Sequence, residues 1–504
     1  MIRRSFFLCI VVLSFASCIY CVEQLSDSPV QVAFFNVGQG NCTVIKHPDD
    51  KNLWIIDAGS SKNPYNILKE ESSFGKAIVI NNIANWIGDF RQYSLHLVLS
   101  HPDIDHYNFM QDILDSYIKS KLSPFSKPLK SRIFKNVTLY VSDKYDLSCY
   151  GFKTADINDL QNKKAIKVES ITKESYVAQS NFSINFVNCA SRNNADKNGN
   201  SLVIKFTYGK CSVLLTGDAT KKTFESINPD YLRNITILQA SHHGASTDGA
   251  NDQSLIKATQ PSYIVLSAPR YSSYGHPDWR IIKRFFQHLG TQKNGLKGFY
   301  KFFYLNKSIA PLDMNKEENN FANNSWIFYP VLSYQKIEKD DYGEFIDDDY
   351  YAICLTNCNI FHTGSHGTVI FSWKFNDIDV EVNTYDYCND TGKLVDTTKS
   401  ILFDQNQIST KLYELLKKEQ SYIKILGIKL FGSSLDSLIG NGKYFQNLQA
   451  LDLSFSSATL TEDLVEQILD TFKNLRSITP NDTLNIEGEG LINKILRRFL
   501  NMDK

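Results

Sequence analysis

Short apolar runs, each closed by a polar cluster, recur through the first half of the chain. Val32-Ala33-Phe34-Phe35-Asn36-Val37 predicts a strand, Gly38-Gln39-Gly40-Asn41 its turn, and residues 42–46 the antiparallel partner. Leu53-Trp54-Ile55-Ile56 predicts a buried strand ending in Asp57-Ala58-Gly59. An amphipathic helical stretch over 78–87 precedes Leu95-His96-Leu97-Val98-Leu99, a strand that delivers Ser100-His101-Pro102-Asp103-Ile104-Asp105-His106 into a loop. A helix over 108–120 follows, then strands at 137–141, 165–168 and 183–187. The hairpin 201–215 ends in Thr216-Gly217-Asp218, and the strand 235–240 ends in Ser241-His242-His243-Gly244. A helix from Asp252 and a strand over 263–267 lead to Tyr274-Gly275-His276-Pro277. Strands that alternate with helices and carry polar clusters at their ends predict a layered α/β domain with one composite site.

The chemistry concentrates in the loop 100–106, where two imidazoles and two carboxylates fall within six residues. The bland reading is a polar loop whose Asp103 or Asp105 caps the following helix. Two or three His with three Asp suit a pair of divalent ions, which clamp the oxygens of a displacement and activate water. Asp57 has two readings, a brace that accepts backbone N–H bonds or a metal contact. His47, His96, His288, His362 and His366 lack such company and are read as structural.

Beyond residue 290 the pattern changes. Aromatic segments precede an acidic run over 338–349, read as a solvated loop, and residues 359–371 predict a hairpin. Ile423, Leu448 and Leu475 begin similar apolar motifs, spaced by 25 and 27 residues. That spacing suits leucine-rich repeats, and a plain α/β extension fits equally well.

Composition adds bounds. A length of 504 residues predicts two or three domains, and equal numbers of Lys plus Arg and of Asp plus Glu, 54 each, remove any overall charge argument for nucleic acid. Arg3-Arg4 and the apolar stretch 6–15 predict a signal peptide over 1–21. Phe15-Ala16-Ser17-Cys18 resembles a lipoprotein box, so Cys18 acylation and plain secretion are both open. Export places the chain in the periplasm, at the cell surface or outside, with membrane contact only through the signal or a lipid anchor. Of ten Cys, Cys354 has Cys358 or Cys388 as a conceivable partner.

Seven segments, in order, resemble the metallo-β-lactamase superfamily and, more closely, the ComEC-like hydrolase domain of DNA-internalisation competence proteins. They are Phe35-Asn36-Val37-Gly38-Gln39-Gly40, Ile56-Asp57-Ala58-Gly59, the loop 100–106, Ser201-Leu202-Val203, Leu215-Thr216-Gly217-Asp218, Ser241-His242-His243-Gly244 and Tyr274-Gly275-His276-Pro277. The resemblance implies an αββα sandwich over 29–390, with an insertion around 295–350 and a separate C-terminal domain over 395–504. It implies two divalent ions, Zn or Mn. His101 and Asp103 would hold one, Asp105 and His106 the other, and Asp218 would bridge. His242 would complete the second ion, His243 would be ligand or substrate contact, and His276 would touch the scissile phosphate. Asp105 would also orient the attacking hydroxide. Asp103 stands where the superfamily has a His, which favours harder cations such as Mn²⁺. No His occurs between residues 107 and 241, so the first ion lacks a ligand that Asn200 or a water would supply.

The expectation is an exported metal-dependent hydrolase that uses a metal-bound hydroxide on a phosphodiester, DNA among the candidates. Two alternatives stand beside it. One is hydrolysis of another ester or an amide, and the other a surface interaction protein whose C-terminal domain binds a protein partner while the hydrolase domain is vestigial.

Overall fold

In the computed structural model, the residues described are 28–47, 51–61, 72–121, 137–152, most of 166–306 and 328–402, and short segments thereafter. The expected leader and Cys388 lie outside them. The chain divides into two compact units, residues 1–269 with 362–397, and residues 270–361 with 398–504. This differs from the linear division expected from sequence, because the inserted segment clusters with the C-terminal one.

The first unit contains strands β1 (Val30–Phe34), β2 (Cys42–Lys46), β3 (Asn52–Ala58), β4 (Ser94–Val98), β5 (Val137–Ser142) and β6 (Lys167–Ile171). They form one sheet with Thr368–Trp373, Glu381–Tyr387 and Leu394–Asp396, which precede β1 in the order. Alternation sorts the side chains. Ala33, Val44, Leu53, Ile55, Leu95, Leu97, Val137 and Leu139 share a core with Val79, Ile83, Ile113 and Leu114, so the helices Ser72–Ile87 and Met110–Lys121 cover one face. The opposite face carries Trp54, His96 and Tyr140, whose rings cluster with centroids 4.1 Å (Trp54–His96), 5.4 Å (Trp54–Tyr140) and 6.0 Å (His96–Tyr140) apart, and Tyr140 continues to Phe186 at 5.3 Å.

Phe186 belongs to the second sheet of this unit, made of β7 (Ser175–Gln179), β8 (Phe182–Asn188), β9 (Val203–Tyr208), β10 (Cys211–Leu215), β11 (Ile237–Gln239) and β12 (Tyr263–Leu266). Phe206–Trp373 and Tyr263–Phe371 ring contacts, at 6.2 and 5.5 Å, also join the sheets. Beyond the second sheet the helices Lys221–Ser226 and Gln253–Thr259 bury Phe224, Leu255 and Ile256. The layering is the expected αββα sandwich. One expectation fails: residues 359–371 form no hairpin, because Thr368–Trp373 pairs with β1 and Glu381–Tyr387, after the one-turn helix Thr363–His366.

The second unit is built on a sheet in the order Lys301–Asn306, Tyr350–Thr356, Phe328–Lys336, Ile423–Ile428, Ala450–Asp452 and Ser477–Thr479. The last three strands are parallel, with Ile425 opposite Ala450 and Ala450 opposite Ser477. Their spacing is the one read from sequence, and the helix Glu462–Thr471 lies between the final two. The acidic run holds a short ladder, Glu338–Lys339 with Phe345–Ile346. Cys354 and Cys358 are buried free thiols, so of the two conceivable pairings of Cys354 the one with Cys358 is absent.

Candidate metal centre

Parallel pairing brings the polar clusters to strand ends. β3, β4 and β5 are parallel in one sheet, and β10, β11 and β12 in the other. Parallel neighbours present their C-terminal ends along one edge, where binding groups collect in α/β folds. Asp57 closes β3, His101 follows β4, Asp218 follows β10 and His242-His243 follow β11.

The first of these is a brace. The Asp57 carboxylate accepts the Ser100 backbone N–H and hydroxyl, both at 2.7 Å, and the His106 Nδ1 proton at 2.8 Å. Both oxygens are therefore engaged behind the loop, and of the two readings of Asp57 the geometry takes the brace. Its backbone is left-handed, φ +53°, a costly conformation that the surrounding bonds hold in place. Gly59 lets the loop lie against β3: a Cβ there would stand 2.6 Å from the Asp105 carbonyl carbon and the His106 nitrogen.

Asp103 occupies the N-cap position of the turn Ile104–Tyr107 but its side chain makes no cap hydrogen bond. Its Oδ2 faces His101 Nε2 at 3.6 Å instead. His101 Nε2 also stands 3.7 Å from Asp218 Oδ2, and His242 Nε2 is 3.6 Å from that same oxygen. On the other side His106 Nε2 lies 3.1 Å, and His243 Nε2 3.7 Å, from Asp218 Oδ1, while Asp105 Oδ2 is 3.3 Å from His243 Nε2. Two groups able to hold a metal ion result: His101, His106 and Asp218, and Asp105, His106 and His243.

The resemblance makes His242 the first choice to complete the second ion. In the structure the consecutive left-handed residues, φ +49° and +56°, carry rings that face opposite oxygens of Asp218, His242 at Oδ2 and His243 at Oδ1. His242 thus stands with His101 and Asp103, on the side expected to be short of a ligand. Asn200, the expected substitute, gives its Nδ2 to Tyr145 Oη at 3.0 Å.

Neighbours that the sequence did not single out hold this turn. Asn251, fully buried, accepts from Ser241 N at 2.9 Å and donates to Ser241 O at 2.7 Å and Ala245 O at 2.9 Å. The Ser267 carbonyl accepts from His243 Nδ1 at 2.7 Å, which fixes the tautomer and leaves Nε2 facing the cluster. An Asn ahead of a helix and a carbonyl at a strand end carry no sequence signal.

The residues fit a cation by a direct criterion. His101 Nε2, His106 Nε2, His243 Nε2 and Asp218 Oδ1 are all buried and make no well-aligned hydrogen bond, although His106 Nε2 and Asp218 Oδ1 stand 3.1 Å apart. Each such atom costs roughly 1–3 kcal/mol, and their grouping on the two sides of Asp218 makes sense when cations take their lone pairs. Without one, the cluster holds protons. Burial opposes charge on His106, but Asp218 and Asp57 outweigh it and raise its pKa well above the usual value. Burial likewise opposes ionisation of Asp218, and His106, His243 and His101 outweigh it to hold the carboxyl well below the usual range. His242, mainly through burial, is lowered. His276 lies in the second unit, half-buried, with its ring stacked on Tyr274 at 6.1 Å.

No family model matches the chain. Over 285 residues it is 22% identical to ComE operon protein 3 of Bacillus subtilis, covering 53% of this chain and 33% of that protein. Over 272 residues it is 25% identical to Recombination protein 2 of Haemophilus influenzae, covering 54% and 28%. The chain thus spans about a third or less of the length of these relatives. Among solved structures it is similar to the metallo-β-lactamase fold protein YhfI from Bacillus subtilis, at 14% identity and a TM-score of 0.33, covering 51% of this chain and 93% of that one.

Proposed function

We propose that this chain, a ComEC-like protein of metallo-β-lactamase fold, is a metal-dependent hydrolase of phosphodiesters, with DNA among its candidate substrates. The convergence of buried imidazole nitrogens of His101, His106 and His243 on the two oxygens of the buried Asp218 carries the reading. His101, Asp103, His242 and Asp218 would hold one divalent ion, and Asp105, His106, His243 and Asp218 the other. Bound ions of this kind lower the pKa of water toward about 7 and offset charge on the phosphoryl oxygens.

The chain's own residues do the rest. Asp57 and the Ser267 carbonyl hold His106 and His243 in the tautomer that offers Nε2. Asp105, with a side chain 16% exposed, stands at the open side of the cluster, where its carboxylate would accept a hydrogen from the attacking water and orient it. The carboxylate-rich donor set favours Mn²⁺ over a purely imidazole site and supports a phosphoryl rather than a lactam substrate.

The leader-like start supports export to the cell envelope, and no helix among the described residues is long and apolar enough to cross a membrane. The parallel strands of the second unit, at spacings of 25 and 27 residues, favour a protein-binding role for that unit of the leucine-rich-repeat kind.

The reading is tested by incubating the full chain with Mn²⁺ or Zn²⁺ and four substrates: bis(p-nitrophenyl) phosphate, p-nitrophenyl phosphate, single-stranded DNA and a chromogenic β-lactam. Cleavage of the diesters with little attack on the lactam is expected. Lactam cleavage with inert diesters would overturn it.

A further inference from the structure

The open side of the cluster carries a cation that no ion-holding role requires. Lys197 Nζ stands 3.0 Å from Asp103 Oδ1, while the other oxygen of that carboxylate faces His101. The ammonium is therefore one carboxylate away from the first ion's place, and its side chain remains 55% exposed. An exposed ion pair of this sort adds little to stability.

Its position is nonetheless built. Asn200 N donates to both Asp196 O and Lys197 O, at 3.1 and 3.2 Å, and Gly199 N donates to Asp196 Oδ1 at 2.7 Å, which pins the turn. Asn200 then ties this turn to Tyr145 by the bond already described. Ile104, between the two carboxylates of the ion loop, leaves 53% of its surface in solvent. An ammonium and a large aliphatic surface thus flank the carboxylate that reaches the first ion.

Charge decides what this lip is for. Asp103, Asp105 and Asp218, together with the attacking hydroxide, would balance the charge of two divalent ions, so an incoming anionic ester gains from a further positive group beside them. We propose that Lys197 is the anion-binding residue of the site, taking a non-bridging phosphate oxygen, with Ile104 against the apolar or base-like group attached to that phosphate. The proposal rests on the phosphodiester reading and narrows it to diesters with a bulky, partly apolar substituent.

Lys197→Met and Lys197→Arg test it in the full chain with Mn²⁺. Three readouts are taken: metal content, KM and kcat on bis(p-nitrophenyl) phosphate, and anisotropy of a fluorescein-labelled, phosphorothioate-linked oligothymidylate. Lys197→Met should raise KM and the oligonucleotide Kd about tenfold, leave kcat within about twofold and keep metal content, as loss of one charge-assisted bond implies. Lys197→Arg should stay near wild type. Falling metal content or kcat with unchanged KM and Kd would make Lys197 a brace for Asp103 and overturn the proposal. Wild type that binds the oligonucleotide through Lys197 without cleaving it would sink the hydrolase reading and leave the anion site standing.

Discussion

Asp57 accepts the His106 Nδ1 proton at 2.8 Å while His106 presents Nε2 to Asp218 at 3.1 Å, so one imidazole links the strand-end brace to the centre of the ion cluster. Replacing such a partner weakens metal affinity by about 10–100-fold in comparable sites. Asp57→Asn should weaken affinity in this range, measured by competition with a chromophoric chelator. Unchanged affinity would show that the brace does not orient the ligand.

The two adjacent histidines serve different oxygens of Asp218. His242→Ala should weaken the ion held with His101 and Asp103, and His243→Ala the one held with Asp105. Calorimetric Mn²⁺ titration of each variant reads this as loss of one class of site with the other kept. Both variants losing the same class would contradict the split.

Asn251 makes three hydrogen bonds to the backbone of the His242-His243 turn from a fully buried position. Asn251→Ala leaves those groups unsatisfied and should cost about 3 kcal/mol in denaturant unfolding of the metal-free protein. A loss under about 1 kcal/mol would mean that the turn holds its left-handed residues unaided.

His96, stacked on Trp54 and beside Tyr140, has its pKa lowered to about 4 by burial. A histidine ordinarily near 6.5 binds protons more readily in the unfolded chain, so its stabilising effect is full above 6.5 and is lost as pH falls from there toward 4. The loss amounts to at most about 3 kcal/mol. His96→Phe keeps the stack and should flatten the fall in urea midpoint between pH 7 and 4.5. An equally steep fall in the variant would remove His96 as its cause.

The strands were legible because buried runs such as Leu53-Trp54-Ile55-Ile56 and Val213-Leu214-Leu215 stop at Asp and Gly, where a parallel edge sheds its cargo. The cluster was legible as residue types, since His101, Asp105, His106 and Asp218 all stand within it. The orientation of His242 and His243 was not, because it depends on two consecutive positive φ values that no side-chain pattern encodes. The second unit's boundaries were hidden for a different reason. Phe328–Lys336 pairs with Ile423–Ile428 across nearly a hundred residues, and long-range pairing leaves no periodic trace. The spacing of Ile423, Leu448 and Leu475 did survive, as the register of three parallel strands.

A two-ion hydrolytic site joined through Asp218 is read out by divalent metal content from emission spectroscopy, with bis(p-nitrophenyl) phosphate hydrolysis on the same samples, for wild type and Asp218→Ala. The wild type should hold about two ions per chain, and the variant should lose both ions and hydrolysis. A metal-free wild type, or a variant that hydrolyses the diester as fast as the wild type, would contradict it.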